Sequence, residues 1–269
     1  MPGLRSKVMN PVSPAPKGKG AFRRFGGHVR DAFIRAFPLE MWTERHLIVP
    51  LRNRSEISVY RNIFVERVYP FDRYKEVLGS TESPVVFDVG ANTGLFAAAV
   101  FDHWPRAQVH SFEPQPQLVP RIREMAALNG LQDRHTINWC AVGGSSGEAE
   151  FFQNRNPISA SLIKAKAARR SIRRVDRVAV TTLDEYARTR ALTRADLLKL
   201  DVEGVELDAL RGATNVLKSV RLIFIEVHPP FSTFSQAAKL LKAAGFFCAA
   251  PTPEPDDQAQ ANCVFVRNR

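Results

Sequence analysis

From about residue 84 onward the chain alternates short apolar runs with helical segments, and this alternation constrains its fold more than any other feature. "PVVFDVG", "AQVHSFEP", "TINWCAVG", "ADLLKLDVEG" and "VRLIFIEVHPP" read as buried strands, rich in β-branched and aromatic residues and mostly closed by glycine or proline. "TGLFAAAVFDHW", "QPQLVPRIREMAALNG", "VELDALRGATNVL" and "FSQAAKLLKAAGF" read as helices, with Gly130 and Gly245 placed to end two of them. Strands joined by crossovers of this length pair in parallel and put helices on both faces of the sheet. "FFCAAP" and "NCVFVRN" follow the last helix as a hairpin-like pair, which allows an antiparallel edge. "EAEFFQN" and "RVAVTTLDEYA" read as strand-forming edges around a basic segment. The predicted class is therefore α/β: a doubly wound, mostly parallel seven-stranded sheet whose last strand is antiparallel.

The loop after the first of these strands says what such a sheet would hold. In "VVFDVGANTGLF" a buried strand ends on Asp88, and the chain then turns through Gly90, Asn92 and Gly94 into a helix expected to begin near Thr93. Ligands of doubly wound sheets bind beyond the carboxyl ends of the strands. Glycine lets the main chain turn tightly and approach a ligand, and a helix N-terminus presents free N–H groups. Glu113 ends the second strand, where an acid can accept both hydroxyls of a ribose. The loop therefore suits an adenosine-type cofactor. A dinucleotide fingerprint would need G-x-G-x-x-G, whereas this chain has Gly90-x-Asn92-x-Gly94 preceded by an acid. An acid beside the loop suits a cationic sulfonium better than a pyrophosphate, which points to S-adenosylmethionine.

With D-x-G-A-N-x-G, an acid ending the second strand and "LLKLDVEGVE", the chain resembles the FkbM family of class I S-adenosylmethionine-dependent methyltransferases, with a Rossmann-like fold. "VTTLDEY" and the pair Ser161-Leu162 resemble further family features, and the resemblance covers about residues 55–267. "RSEISVYRNIFVERVY" looks like the family's lead-in segment, although Arg54-Ser55-Glu56 stands where that segment often has a Gly-Thr-Ser-Asp turn. The resemblance implies that Asp88, Gly90, Asn92 and Gly94 form the loop against the methionine part of the cofactor and that Glu113 binds the ribose. It also implies that Ala141 lines the adenine pocket and that Asp201 stands beside the sulfonium. The implied reaction is methylation of a hydroxyl on a glycan, glycolipid or secondary metabolite.

An attacking hydroxyl must lose its proton, and a positioned base assists. Asp201, Glu203 and His228 are the candidates, because all three stand at or just beyond the ends of adjacent buried strands. Glu206 is expected to complement the following helix N-terminus. No motif calls for a metal and none is assigned; a divalent ion on Asp201, Glu203, Glu226 or His228 is the lesser reading. The competing functions are methylation of an RNA ribose, favoured by charge, and a nicotinamide-dependent oxidoreductase, opposed by the missing third glycine.

The formal charge of +11 over 269 residues is uneven. Residues 1–60 hold eleven Lys/Arg against four acids and residues 155–177 hold eight against one, so the remainder is close to neutral. Residues 1–20 read as a disordered basic leader, 21–80 as a helical lead-in segment, and 81–269 as the catalytic domain with a basic insertion at 155–177. Phe22, Phe25, Val29, Phe33 and Phe37 recur at helical spacing between arginines, which predicts an amphipathic basic helix over 21–37, docked on the domain, with peripheral membrane contact as the lesser reading. The insertion is expected to be a mobile lid whose Arg169, Arg170, Arg173 and Arg174 engage an anionic group of a small-molecule or glycan substrate. No apolar run of 18 residues or signal peptide is apparent, and Cys140, Cys248 and Cys263 are too scattered for metal or disulfide arithmetic. The expected location is cytoplasmic.

Overall fold

Five parallel strands form the centre of the molecule, flanked by one antiparallel insertion. The computed structural model describes residues 38–79, 81–154, 160–168, 171–251 and 254–268. The leader, the 21–37 helix, and Arg169 and Arg170 of the expected lid lie outside the described residues. In chain order the first elements are β1 (Leu39–Trp42), β2 (Ile48–Leu51), α1 (Arg54–Tyr60) and α2 (Phe71–Tyr74). The α/β alternation follows as β3 (Val85–Val89), α3 (Leu95–His103), β4 (Gln108–Phe112), α4 (Val119–Leu128) and β5 (His135–Asn138). A side sheet and its surroundings contribute β6 (Ala141–Val142), β7 (Gly147–Asn154), α5 (Lys164–Ala168), β8 (Ile172–Thr181) and α6 (Leu183–Thr189). The chain closes with β9 (Leu197–Leu200), α7 (Glu206–Arg211), β10 (Leu222–Val227), α8 (Phe234–Ala243), β11 (Phe246–Ala250) and β12 (Ala261–Arg267).

The main sheet has seven strands in the order β11-β12-β10-β9-β3-β4-β5. The chain winds outward from β3 through β4 to β5, crosses back to β9, and winds the other way through β10. The order therefore reverses between β3 and β9, which opens a crevice at their carboxyl ends. Strand alternation sorts the core into two layers. Phe87, Val89, Leu198, Leu200, Ile223 and Ile225 face one layer, while Val86, Leu197, Leu222 and Phe224 face the other. Two charged side chains, Asp88 and Lys199, share the second face and sit directly opposite one another in the β3–β9 register.

β12 is antiparallel as expected and slots between β10 and β11. The sheet departs from the sequence reading in two places. "TINWCAVG" is not one strand: β5 stays in the main sheet, and β6 pairs with β8 in a three-stranded side sheet of order β6-β8-β7. "TTLDEYA" leaves β8 and becomes α6, because the Thr182 side chain caps the helix by accepting from the Glu185 amide at 3.0 Å. The expected lid is also more regular than predicted. Its last residues are the start of β8, where Arg174 pairs with Asp176 at 2.6 Å and Arg177 with Glu148 at 2.9 Å.

The lead-in segment is clamped onto α4. Asn53 caps α1 by accepting from the Glu56 amide at 3.0 Å. The Glu56 carboxylate takes the Arg52 amide at 2.7 Å and the Arg121 guanidinium at 2.7 Å, while Arg52 reaches Glu124 at 2.8 Å. Glu56, with Arg52, thus fastens the segment to the domain. Among the described residues no helix is long and apolar enough to cross a membrane.

Phe265 of β12 is fully buried opposite Ile223. Phe265→Ala is expected to lower unfolding stability by about 3–5 kcal/mol, read from urea denaturation; a loss below about 1 kcal/mol would show that the inserted strand is not integral to the core.

Candidate functional site

The loop after β3 is shaped by contacts that leave its glycines no alternative. Gly90 has φ +81°, and a Cβ there would fall 1.8 Å from the Asp201 carbonyl oxygen. Gly94 has φ +83°, and a Cβ there would press against Ile122 and Met125 of α4 at 3.1 and 3.3 Å. Asn92 also takes a positive φ of 53°, a conformation asparagine tolerates better than most residues. The amides of Gly90 and Ala91 both donate to the Phe112 carbonyl at 3.0 Å, which ties the loop to the end of β4. α3 then starts at Leu95, two residues later than the sequence suggested.

Beneath the loop lies a polar row that crosses three central strands. Ser111 and Lys199 flank Asp88 in register. The Ser111 hydroxyl donates to Asp88 at 3.1 Å and also contacts His135 at 2.9 Å. Lys199 is almost wholly buried, and its Nζ donates to the Gly90 carbonyl at 2.6 Å. The same ammonium stands 3.7 Å from Asp88 and 3.6 Å from Asp201. Burial opposes its charge, but the two carboxylates outweigh burial and hold its pKa above the ordinary lysine value. Sequence reading passed over Lys199, although a lysine inside the buried run "LLKL" was itself a signal.

A cleft of about 590 Å³ opens above this row. Gly90, Asn92, Glu113, Ala141, Asp201 and Glu203 line it, so most of the residues singled out for the cofactor converge on one cavity. Asp88 and Gly94 are not among its lining. Asp88 is fully buried and Gly94 packs on α4, so both shape the loop from behind. Glu113 accepts from the amides of Asn92 at 2.7 Å and Gln115 at 2.8 Å. Burial pushes its pKa up to about 7, and those two amides only partly offset the rise.

At the far end of the cleft, β9 and β10 deliver Asp201, Glu203 and His228 together. His228 Nε2 lies 3.9 Å from Asp201 and 3.6 Å from Glu203. The ring is fixed from behind by Glu206, which meets Nδ1 at 2.9 Å. Glu206 also accepts from the Gly204 amide at 2.9 Å, the Val202 amide at 3.3 Å and the Ser232 hydroxyl. It therefore anchors both strand ends, a larger role than complementing a helix N-terminus. Glu203, at φ +57°, is held by Lys166 through its carboxylate and by the Ser161 hydroxyl at 2.8 Å through its carbonyl. The described start of the basic insertion is thus seated on this loop. Glu226 is turned to Gln260 at 2.6 Å.

A doubly wound sheet with a glycine-turned loop and a carboxylate-rich crevice at its switch point defines a Rossmann-like fold. The model of the Methyltransferase FkbM domain matches residues 88–248, and the chain belongs to that methyltransferase family. Methyltransferase sdnD of Sordaria araneosa is 27% identical over 217 residues, covering 70% of this chain and 81% of the relative. Hexuronic acid methyltransferase AglP of Haloferax volcanii is 29% identical, covering 55% of this chain and 57% of its own. The 2-O-methyltransferase NoeI of Sinorhizobium fredii is 28% identical, covering 53% of this chain and 63% of its own. With the last two, this chain spans less than two thirds of the relative's length.

Gly130 offers a control for the loop: it too has positive φ, at +63°, but a Cβ there meets nothing within 4 Å. Gly90→Ala is expected to cost about 3 kcal/mol or more through strain and displacement of Asp201, against about 1 kcal/mol for Gly130→Ala. Equal losses in urea denaturation would contradict the close approach as the cause.

Proposed function

We propose that the chain transfers the methyl group of S-adenosylmethionine to a hydroxyl of a glycan, glycolipid or secondary metabolite, with residues 81–269 as the catalytic domain. One observation carries this reading: a single cleft runs from Glu113 past Gly90 and Asn92 to Asp201 and Glu203. Glu113 would take the ribose hydroxyls, Ala141 would border the adenine, and the turned loop would receive the methionine part. Asp201 would face the sulfonium. With the cofactor bound, the acceptor oxygen would attack the methyl carbon in line, the carbon–sulfur bond breaking with its electron pair left on sulfur, and Asp201, Glu203 or His228 would take the hydroxyl proton. Sulfur is already a good leaving group, so orientation supplies much of the acceleration. Asp201, Glu203 and His228 stand where the acceptor and its proton must be handled. An oxygen acceptor accords with the name of one relative, a 2-O-methyltransferase, and a sugar-acid acceptor with the name of another, a hexuronic acid methyltransferase.

Two other readings receive less support. A nicotinamide cofactor would place its pyrophosphate at a loop backed by Asp88 and lacking the third glycine. An RNA ribose acceptor would draw on the basic insertion, yet Arg174 and Arg177 are occupied by Asp176 and Glu148.

Calorimetry should show S-adenosylmethionine and its demethylated product binding, and NAD not binding; binding of NAD alone would overturn the reading. Because the Glu113 pKa is raised to about 7, its carboxylate is lost as pH falls through that value, and cofactor affinity should fall with it. Glu113→Gln should weaken binding by about 10- to 100-fold, consistent with a charged hydrogen bond of about 1.5–3 kcal/mol, and should flatten the pH dependence. An unchanged pH profile in this variant would remove Glu113 from the ribose site.

A further inference from the structure

We infer that Asp201, Glu203 and His228 form a binding site for a hard divalent cation, of the Mg²⁺ or Mn²⁺ class, at the acceptor end of the cleft. One ligand atom from each residue lies within 4.8 Å of the others. Metal–oxygen bonds of about 2.1 Å place neighbouring ligands about 3 Å apart, so the 3.6 and 3.9 Å separations close with small side-chain rotations.

A second, independent observation is the histidine itself. His228 is 4% exposed, and its Nε2 has no hydrogen-bond partner while it points between the two carboxylates. Its other nitrogen meets Glu206 at 2.9 Å. A carboxylate behind the ring is the arrangement that fixes a metal-bound imidazole and strengthens it as a ligand. The local charge points the same way. Asp201, Glu203, Glu206 and Glu226 gather around His228 at this end of the cleft, and Lys199 and Lys166 are lysines set against them. Two carboxylate oxygens and one imidazole nitrogen leave room for oxygen ligands, as Mg²⁺ and Mn²⁺ prefer.

The inference deepens the methyl-transfer reading and rests on it for the ion's role, though not for its binding. A hydroxyl that ligates such an ion becomes more acidic. Held by Asp201, Glu203 and His228, the ion would ease loss of the acceptor's proton to solvent, and these residues would then handle that proton through the ion. Lys166, whose ammonium holds Glu203, would compete with the ion for that carboxylate.

The test is Mn²⁺ titration of the chelator-treated full chain without cofactor, followed by the electron paramagnetic resonance of free Mn²⁺. One saturable site per chain is expected. Asp201→Asn, Glu203→Gln and His228→Gln should each weaken it by roughly tenfold or more, with circular dichroism confirming that each variant folds. Lys166→Met should tighten it, a direction that damage to the fold does not produce. No saturable site, or affinity unmoved by all four substitutions, would overturn the inference. Calorimetry with the demethylated cofactor in chelator tests the other reading separately. If that ligand binds and Mn²⁺ does not, the metal site falls and the cofactor site stands; the reverse result retains the metal site and removes the cofactor.

Discussion

One buried ammonium organises the functional end of this molecule. Lys199 rises from the middle of the sheet into a space where water does not reach it, and a lone charge there would be costly. It is stabilised by the Gly90 carbonyl and by Asp88 and Asp201, one on its own strand and one on the neighbouring strand. The same contacts lock the β3 loop to the end of β9. Together with the Phe112 carbonyl, which takes the Gly90 and Ala91 amides, and the Asp201 amide, which donates to the Val89 carbonyl, they hold the Gly90 turn against Asp201. The cleft is thus defined by electrostatics under the loop as much as by the glycines in it.

A second anchor, Glu206, does for β9 and β10 what Lys199 does for β3 and β9. It gathers two amides, a hydroxyl and an imidazole around one fully buried carboxylate. Burial would raise the Glu206 pKa, but the hydrogen bonds from His228, Ser232 and the Gly204 amide, with the His228 charge, together lower it. The surface consequence is that Asp201, Glu203 and His228 are presented with little freedom. The insertion adds a third support, because a Cβ on Gly204 would strike Ile163 of that segment at 2.9 Å. The segment therefore packs directly against the reactive loop.

Much of this was legible in the sequence because period and punctuation agree. Asp88, Gly90, Asn92 and Gly94 announced the loop, Glu113 the end of β4, and Asp201 with Glu203 the end of β9. What could not be read was long-range. The exit of β6 into a side sheet depends on β8, nearly forty residues later in the chain. The insertion of β12 inside the sheet depends on its pairing with β10 as well as with β11, and local patterning does not encode that. Thr182 with Glu185 did carry the signal of a helix start inside a predicted strand, but β-branched neighbours masked it. Lys199 was passed over, and Glu206 was read only as a complement to a helix N-terminus, because their partners come from other strands and loops.

The central claim is that the crevice above Lys199 holds a sulfonium nucleoside with its ribose on Glu113. A crystal structure of the chain soaked with S-adenosylhomocysteine tests it most directly. The account predicts both ribose hydroxyls within hydrogen-bonding distance of the Glu113 carboxylate and the sulfur next to Asp201. An empty crevice, or a ligand seated elsewhere, would contradict it.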